Sequence, residues 1–384
     1  MSELSLFYAT NRNHLGDDRW HPTGYGTKFS DDGMENLRFG RLSVEADEAI
    51  LAQHLAARAA GGLVDGSALA SYLTERTDSA SIQAYRETLD PTASDTVQGA
   101  AALGSTAFFA DLQAIMQGGT DVVVLIHGFN VSWRSAVGSA LALQVALNRT
   151  DGSDPTQQIR VVLFSWPSDG QALPFVSYKS DRSEAIGSGF AVGRAFLKVR
   201  DFLAALRDRR DPSVLCGQDI HLLCHSMGNF VLQNALVRMS EHTPGNALPR
   251  LFEHVFLCAP DVDDNAVEAD QPLAPVHEIA RTVTIYHNRG DKAMYVSEYT
   301  KGNPERLGTN GASRPTLLHN KVNQVDCTAI AGGDFIQHSY YASGLTNLDI
   351  RHSLEGLALD DPLRLRRRGD LPNVWAIPPA AVPG

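Results

Sequence analysis

The chain reads as an α/β protein, a mostly parallel sheet with helices on both faces. Two observations predict this. Its short apolar stretches run without alternation, the pattern of strands buried on both faces, and segments of helical periodicity separate them. Residues 4–8 and 39–44 open the series as strands, with a helical pattern over 46–60. Residues 61–104 are polar and rich in Ala and Ser, so 47–104 is expected to form an inserted helical or irregular segment, a candidate lid. A helix over 108–116 follows, with Ser105 and Thr106 as candidate N-caps and Gly118 as its stop. Strands are then expected at 122–126, 161–164, 221–224, 255–258, 283–286 and 322–327. Val192, Phe196, Val199, Leu203 and Leu206 recur at steps of four and three, one face of an amphipathic helix. Residues 230–239 are apolar nearly all round, as a helix covering the middle of the sheet would be. The final stretch, LPNVWAIPPAAVPG, is Pro-rich, so an irregular tail is expected over 346–384 after a main domain spanning 1–345.

Composition narrows the function classes. A length of 384 residues with 43% hydrophobic and 20% charged residues suits one large domain with insertions. The formal charge of −11 argues against a nucleic-acid partner, because binding phosphates requires a basic face. The one basic run, Arg364-Leu365-Arg366-Arg367-Arg368, is expected to be solvated tail. The first residues show neither the basic start nor the apolar run of a secretory signal, and no apolar stretch approaches the ~20 residues that span a bilayer. A cytoplasmic protein without integral membrane association is expected; nothing fixes its oligomeric state. Cys216, Cys224, Cys258 and Cys327 lack paired metal-ligand spacing and read as reduced, mostly buried thiols. Asp261, Asp263 and Asp264 lack the closing Glu of a calcium loop and read as a solvated turn. No metal and no cofactor is expected.

The chemistry starts at His221-Leu222-Leu223-Cys224-His225-Ser226-Met227-Gly228-Asn229. A strand ending here and a helix starting at once would lift Ser226 above the sheet edge on a sharp turn. Such a turn needs small residues two places either side of the serine. Gly228 meets that need, and Cys224 stands where glycine is usual. A serine on such a turn is a candidate nucleophile; a helix-capping serine is the plainer alternative. The strand at 122–126 runs into His127-Gly128-Phe129-Asn130, which turns the Phe129 N–H toward the same edge. With the Met227 N–H it would make an oxyanion site, His127 holding the loop. His225, adjacent to the serine, points elsewhere and is set aside as a base. Later strands open into loops carrying Asp291 and His338, each free to reach that edge. Ser226, Asp291 and His338 then follow the order nucleophile, acid, base. Asp261 or Asp263 remain rival acids, and His319 and His352 rival bases, while His287 belongs to a strand end. Trp166, Phe129, Phe175 and Tyr178 are candidates to line the substrate pocket, with surface or core packing as the alternative for Phe175 and Tyr178.

Six blocks recur together: Phe7-Tyr8-Ala9-Thr10-Asn11-Arg12, Ile126-His127-Gly128-Phe129-Asn130, Phe164-Ser165-Trp166-Pro167-Ser168-Asp169-Gly170, His225-Ser226-Met227-Gly228-Asn229, Ala259-Pro260-Asp261 and His338-Ser339-Tyr340-Tyr341. In this order they resemble the bacterial α/β-hydrolases of the domain-of-unknown-function 900 group, an esterase and lipase superfamily. The resemblance implies an α/β-hydrolase fold and a serine-hydrolase triad carried onto Ser226, Asp291 and His338. The chain departs from the group over about 47–104 and after 345. The expected activity is hydrolysis of a small-molecule or lipid carboxylic ester through an acyl-enzyme. Acyl transfer or interfacial lipid-ester hydrolysis on the same triad is one alternative, and a non-catalytic binding protein of the same fold is another.

Overall fold

In chain order the strands are β1 (Ser2–Thr10), β2 (Arg12–Leu15), β3 (Gly24–Phe29), β4 (Arg38–Ala46), β5 (Ser81–Ala84), β6 (Thr120–Ile126), β7 (Gln158–Ser165), β8 (Ile220–His225), β9 (Phe252–Cys258), β10 (Ala280–His287), β11 (Val322–Asp326), β12 (Arg367–Arg368) and β13 (Val374–Ala376). The longer helices are α1 (Glu48–Ala56), α2 (Gly66–Arg76), α3 (Gly104–Gln117), α4 (Trp133–Asn148), α5 (Pro174–Asp208), α6 (Gly228–Glu241) and α7 (Gly344–Leu354). This computed structural model describes residues 1–56, 65–87, 103–148, 157–168, 174–208, 217–294, 305–331 and 337–379.

Eleven strands form one sheet in the order β12-β13-β11-β10-β9-β8-β6-β7-β1-β4-β5, and β2 and β3 form a separate hairpin. From β13 through to β1 every neighbouring pair is parallel; only β4, β5 and β12 add antiparallel edges. The continuous apolar runs follow from burial on both faces. On β6, Val122 and Ile126 join the core under α3, α5 and α6, while Val123 and Leu125 join the core under α2 and α4. β6 lies between β7 and β8, so the chain leaves β6 toward one side and returns on the other. Such a reversal opens a crevice at the carboxyl ends of the strands. There Ile126 of β6 is level with Cys224 of β8, which brings the loops after these strands side by side.

One stretch differs from expectation and another does so only in part, since helices are expected within 47–104 but a sheet strand is not. In the segment over 47–104, α1, α2 and β5 are regular: β5 extends the sheet beside β4, and Leu69 and Leu73 of α2 are buried in the core shared with α4. The α2 N-terminus donates from the Gly66 N–H to Ser343 Oγ at 2.9 Å, bracing the turn that follows His338. Residues 57–64 and 88–102 lie outside the described residues. The tail over 346–379 is also structured. It carries most of α7, and β13 pairs with β11, because the prolines of the final stretch flank Val374, Trp375 and Ala376 rather than interrupt them.

The basic run is likewise not a solvated tail. Arg364 and Arg366 are buried on the carboxylate of Asp349 in α7, at 3.1 and 2.6 Å, and Tyr286 Oη donates to the same carboxylate at 2.6 Å. Of its arginines only Arg367 and Arg368 face solvent. Burial alone would push the Asp349 carboxyl up, but Arg366 and Arg364 overcome it and hold the group below the usual carboxylate range. No helix among the described residues is long and apolar enough to cross a membrane.

Asp349→Asn is expected to destabilise the fold by about 3–5 kcal/mol at neutral pH, since it strands two buried guanidinium groups. Because the folded carboxyl is depressed, its contribution is complete above an unfolded pKa of about 3.9 and is lost as pH falls through the lowered value. Urea midpoints of both proteins at pH 7 and in acid test this; equal midpoints at pH 7 would refute it.

Candidate active site

Ser226 sits at the carboxyl edge of β8 in a left-handed conformation, φ +54°. Such a backbone costs a non-glycine residue of the order of 1–3 kcal/mol and persists only where its surroundings fix it. Here they do. The Ser226 N–H donates to Cys258 O at 2.9 Å, and its carbonyl accepts from Asn229 N (3.0 Å), Asn229 Nδ2 (3.0 Å) and Asp261 N (3.2 Å). Asn229 Nδ2 also reaches Cys224 O at 3.1 Å, so one buried amide ties both sides of the turn. α6 then starts against the end of β6. A Cβ on Gly228 would stand 2.5 Å from Ile126 O and 2.7 Å from His127 O, which only glycine avoids. A Cβ on Gly128 would stand 2.8 Å from the Ser226 Cβ, so the neighbouring loop is equally close. Cys224 fills the strand-side position as a buried thiol, pushed above the usual thiol range by burial. Ser226 is fully buried, and its Oγ has no hydrogen-bond partner among the described residues.

The loop after β6 is fastened on all sides. His127 Nδ1–H donates to Gly128 O at 2.8 Å, its Nε2 accepts from the Trp166 N–H at 3.2 Å, and Trp166 Nε1–H donates to His127 O at 2.9 Å. The two rings stack 5.3 Å apart. Burial, reinforced by the nearby Arg12 guanidinium, lowers the His127 imidazole to about 3, so it stays neutral and serves the loop. Further along, the Asn130 N–H donates to Asp181 Oδ2 at 2.7 Å, and Ser168 Oγ bridges Asp181 and the Val131 N–H. Arg12, fully buried, donates to Ser165 Oγ, Gly26 O and Val131 O at 2.7–2.9 Å. The arginine of the N-terminal block thus braces this loop from a distant part of the chain. Phe129 lies within the braced segment and packs on the core. Met227 precedes α6, whose N-terminus has no side-chain cap.

The loops after β10 and β11 bring Asp291 and His338 together. His338 Nδ1 lies 2.7 Å from Asp291 Oδ2, and Asp291 Oδ1 accepts from the N–H groups of Ala293 (3.0 Å) and Met294 (3.4 Å). Asp291 is fully buried, whereas the His338 side chain is 14% exposed. With Nδ1–H given to the carboxylate, His338 Nε2 keeps its lone pair. Three further groups fix this pair. Buried Asn288 donates to Gln337 O at 2.9 Å and accepts from the Gly290 N–H at 2.9 Å, linking the acid turn to the residue before His338. Tyr340 Oη donates to Tyr286 O at 2.8 Å. His225 Nε2–H donates to His338 O at 3.2 Å, and the His225 and His338 rings lie 4.5 Å apart. Burial, then the neighbouring His338, holds His225 well below the usual imidazole range. His225, set aside as a base, is thus committed to the backbone of His338.

The rival acids are occupied. Asp261 and Arg306, each 1% exposed, pair at 3.3 Å, and Arg306 also pairs with Asp263. Thus Asp261 is buried rather than part of a solvated turn. His287 is buried and lowered to about 4, chiefly by desolvation. Trp166, a candidate for the substrate pocket, is instead completely buried on His127. The side chains of Phe175 and Tyr178 lie outside the described residues, as does Cys216. Among the described residues no group of three His, Cys, Asp or Glu is arranged to hold a metal ion. The sequence reading missed Asn229, Asp181, Asn288 and Arg306. Nothing local marks them, although Asn229 lies inside the serine block and Arg12 inside the N-terminal one.

Comparison with known families matches residues 105–351 to the family described as "Alpha/beta hydrolase of unknown function (DUF900)". No curated protein matches the chain, and no solved structure does. With a mostly parallel sheet and a match over more than half its length, the chain belongs to this family of α/β hydrolases.

Proposed function

We propose that the chain hydrolyses carboxylic esters through an acyl-enzyme on Ser226. The observation that carries the reading is the Asp291–His338 pair at 2.7 Å, on the same strand edge as a strained serine whose Oγ no described group engages. In this scheme His338 Nε2 takes the Ser226 proton as Oγ attacks the ester carbonyl. The N–H groups of Phe129 and Met227 receive the oxyanion, aided by the positive end of the uncapped α6. His338 then returns the proton to the leaving alcohol. Water, activated by the same imidazole, releases the acid and restores Ser226. His127 and His225 are held neutral and spent on backbone groups, which leaves the base to His338.

Ser226→Ala is expected to abolish hydrolysis of 4-nitrophenyl butyrate and labelling by a fluorophosphonate. Labelling of the variant at another residue would overturn the assignment. Asp291→Asn should retain the fold and lose about 10⁴-fold in kcat, because the histidine is left in the wrong tautomer. The acid limb of kcat/KM is expected to follow one proton, since burial keeps His127 and His225 neutral where ester assays run. In His225→Gln that limb should persist at roughly 10- to 100-fold lower turnover, the cost of a loosened His338. Its disappearance would make His225 the base.

A further inference from the structure

α5 and α6 run side by side in the same direction. A Cβ on Gly193 would meet Ala235 O and Arg238 Cβ, and nearer their N-termini Arg182 Cζ lies 3.8 Å from the centre of the Phe230 ring. Phe230 is four residues, about one turn, beyond Ser226. Side chains on a helix lean toward its N-terminus, so the Phe230 ring leans back over the turn that bears Ser226 and Met227. Asp181, the neighbour of Arg182, is the residue that receives the Asn130 N–H of the loop beside Ser226. Arg182 thus rests on a side chain one turn past Ser226 and directly follows the residue that holds the loop beside that serine.

Among the described residues its charge is unanswered. Arg182 makes no ion pair among the described residues, and its Nη1 is shielded from water without a hydrogen-bond partner. Asp181 Oδ2 is already committed to Asn130 N and Ser168 Oγ. A guanidinium resting on an aromatic ring keeps its N–H donors in its own plane, where they match the oxygens of a carboxylate or phosphate. An arginine is always charged, and a half-buried one without a partner is costly unless an anion arrives.

We propose that Arg182 binds an anionic oxygen group of the substrate, so that the preferred esters carry a carboxylate or phosphate remote from the scissile bond. This rests on the hydrolase reading above and names its substrate class. The test compares kcat/KM for three esters: 4-nitrophenyl hexanoate, mono-4-nitrophenyl adipate and 4-nitrophenyl 6-phosphonooxyhexanoate. The wild-type protein should favour at least one anionic ester over hexanoate by about 10- to 100-fold, mainly through KM, and the larger gain tells carboxylate from phosphate. Arg182→Gln should reduce that ratio to near one, with Arg182→Lys between. The wild-type ratio should also fall with added salt, a readout that needs no variant. Hexanoate turnover without anionic preference, or an unchanged ratio in Arg182→Gln, would overturn the proposal alone. No turnover of any of the three would overturn the hydrolase reading and this proposal with it.

Discussion

The site depends on how closely α6 approaches the end of β6. Because Gly228 lies against the carbonyls of Ile126 and His127, the chain leaving β8 must turn within one residue, and that residue is Ser226. The strain of its left-handed backbone is carried by three donors on its carbonyl and by the bond from its N–H to Cys258 O. A wider approach would relax the turn, sink the serine into an ordinary helix start and separate it from the loop after β6. The strand reversal around β6 makes the arrangement possible, since β6 and β8 are direct neighbours although β7 and α5 come between them in the chain.

Around that turn the chain invests in rigidity from both ends. On one side Arg12, Asp181 and Ser168 hold the 128–131 loop through its backbone groups. On the other, Asn288, Tyr340 and His225 hold the 337–340 segment, and the Tyr286 hydroxyl is fixed by the Asp349 cluster. Most of these are side chains bonded to main-chain groups, which set loop positions. His127 and His225 show the cost of using imidazoles in this way. Burial suppresses their basicity, and the one partly exposed histidine of the three is paired with a carboxylate.

The central strands and the serine turn were legible from local pattern. Continuous apolar runs mark strands buried on both faces, and a small-residue pattern around a serine marks a strand-to-helix turn, because both depend on neighbours within a few residues. The same locality explains the failures. The Arg364–Arg368 run reads as solvated until Asp349, 15 residues before Arg364 and on a separate helix, supplies a buried carboxylate for two of its members. Trp166 reads as a pocket-lining aromatic until His127 is stacked against it.

Sequence by itself determined the α/β alternation, the order of Ser226, Asp291 and His338 along the chain, and the need for Gly228 beside the serine. Only the tertiary structure decided that Asp291 rather than Asp261 meets His338, that Arg306 occupies Asp261, and that His225 steadies the histidine loop. Each of these is a choice among chemically equivalent groups on different strands. A carboxylate or imidazole looks the same in sequence wherever it stands, and only the strand order and the buried partners it meets decide which pair comes together.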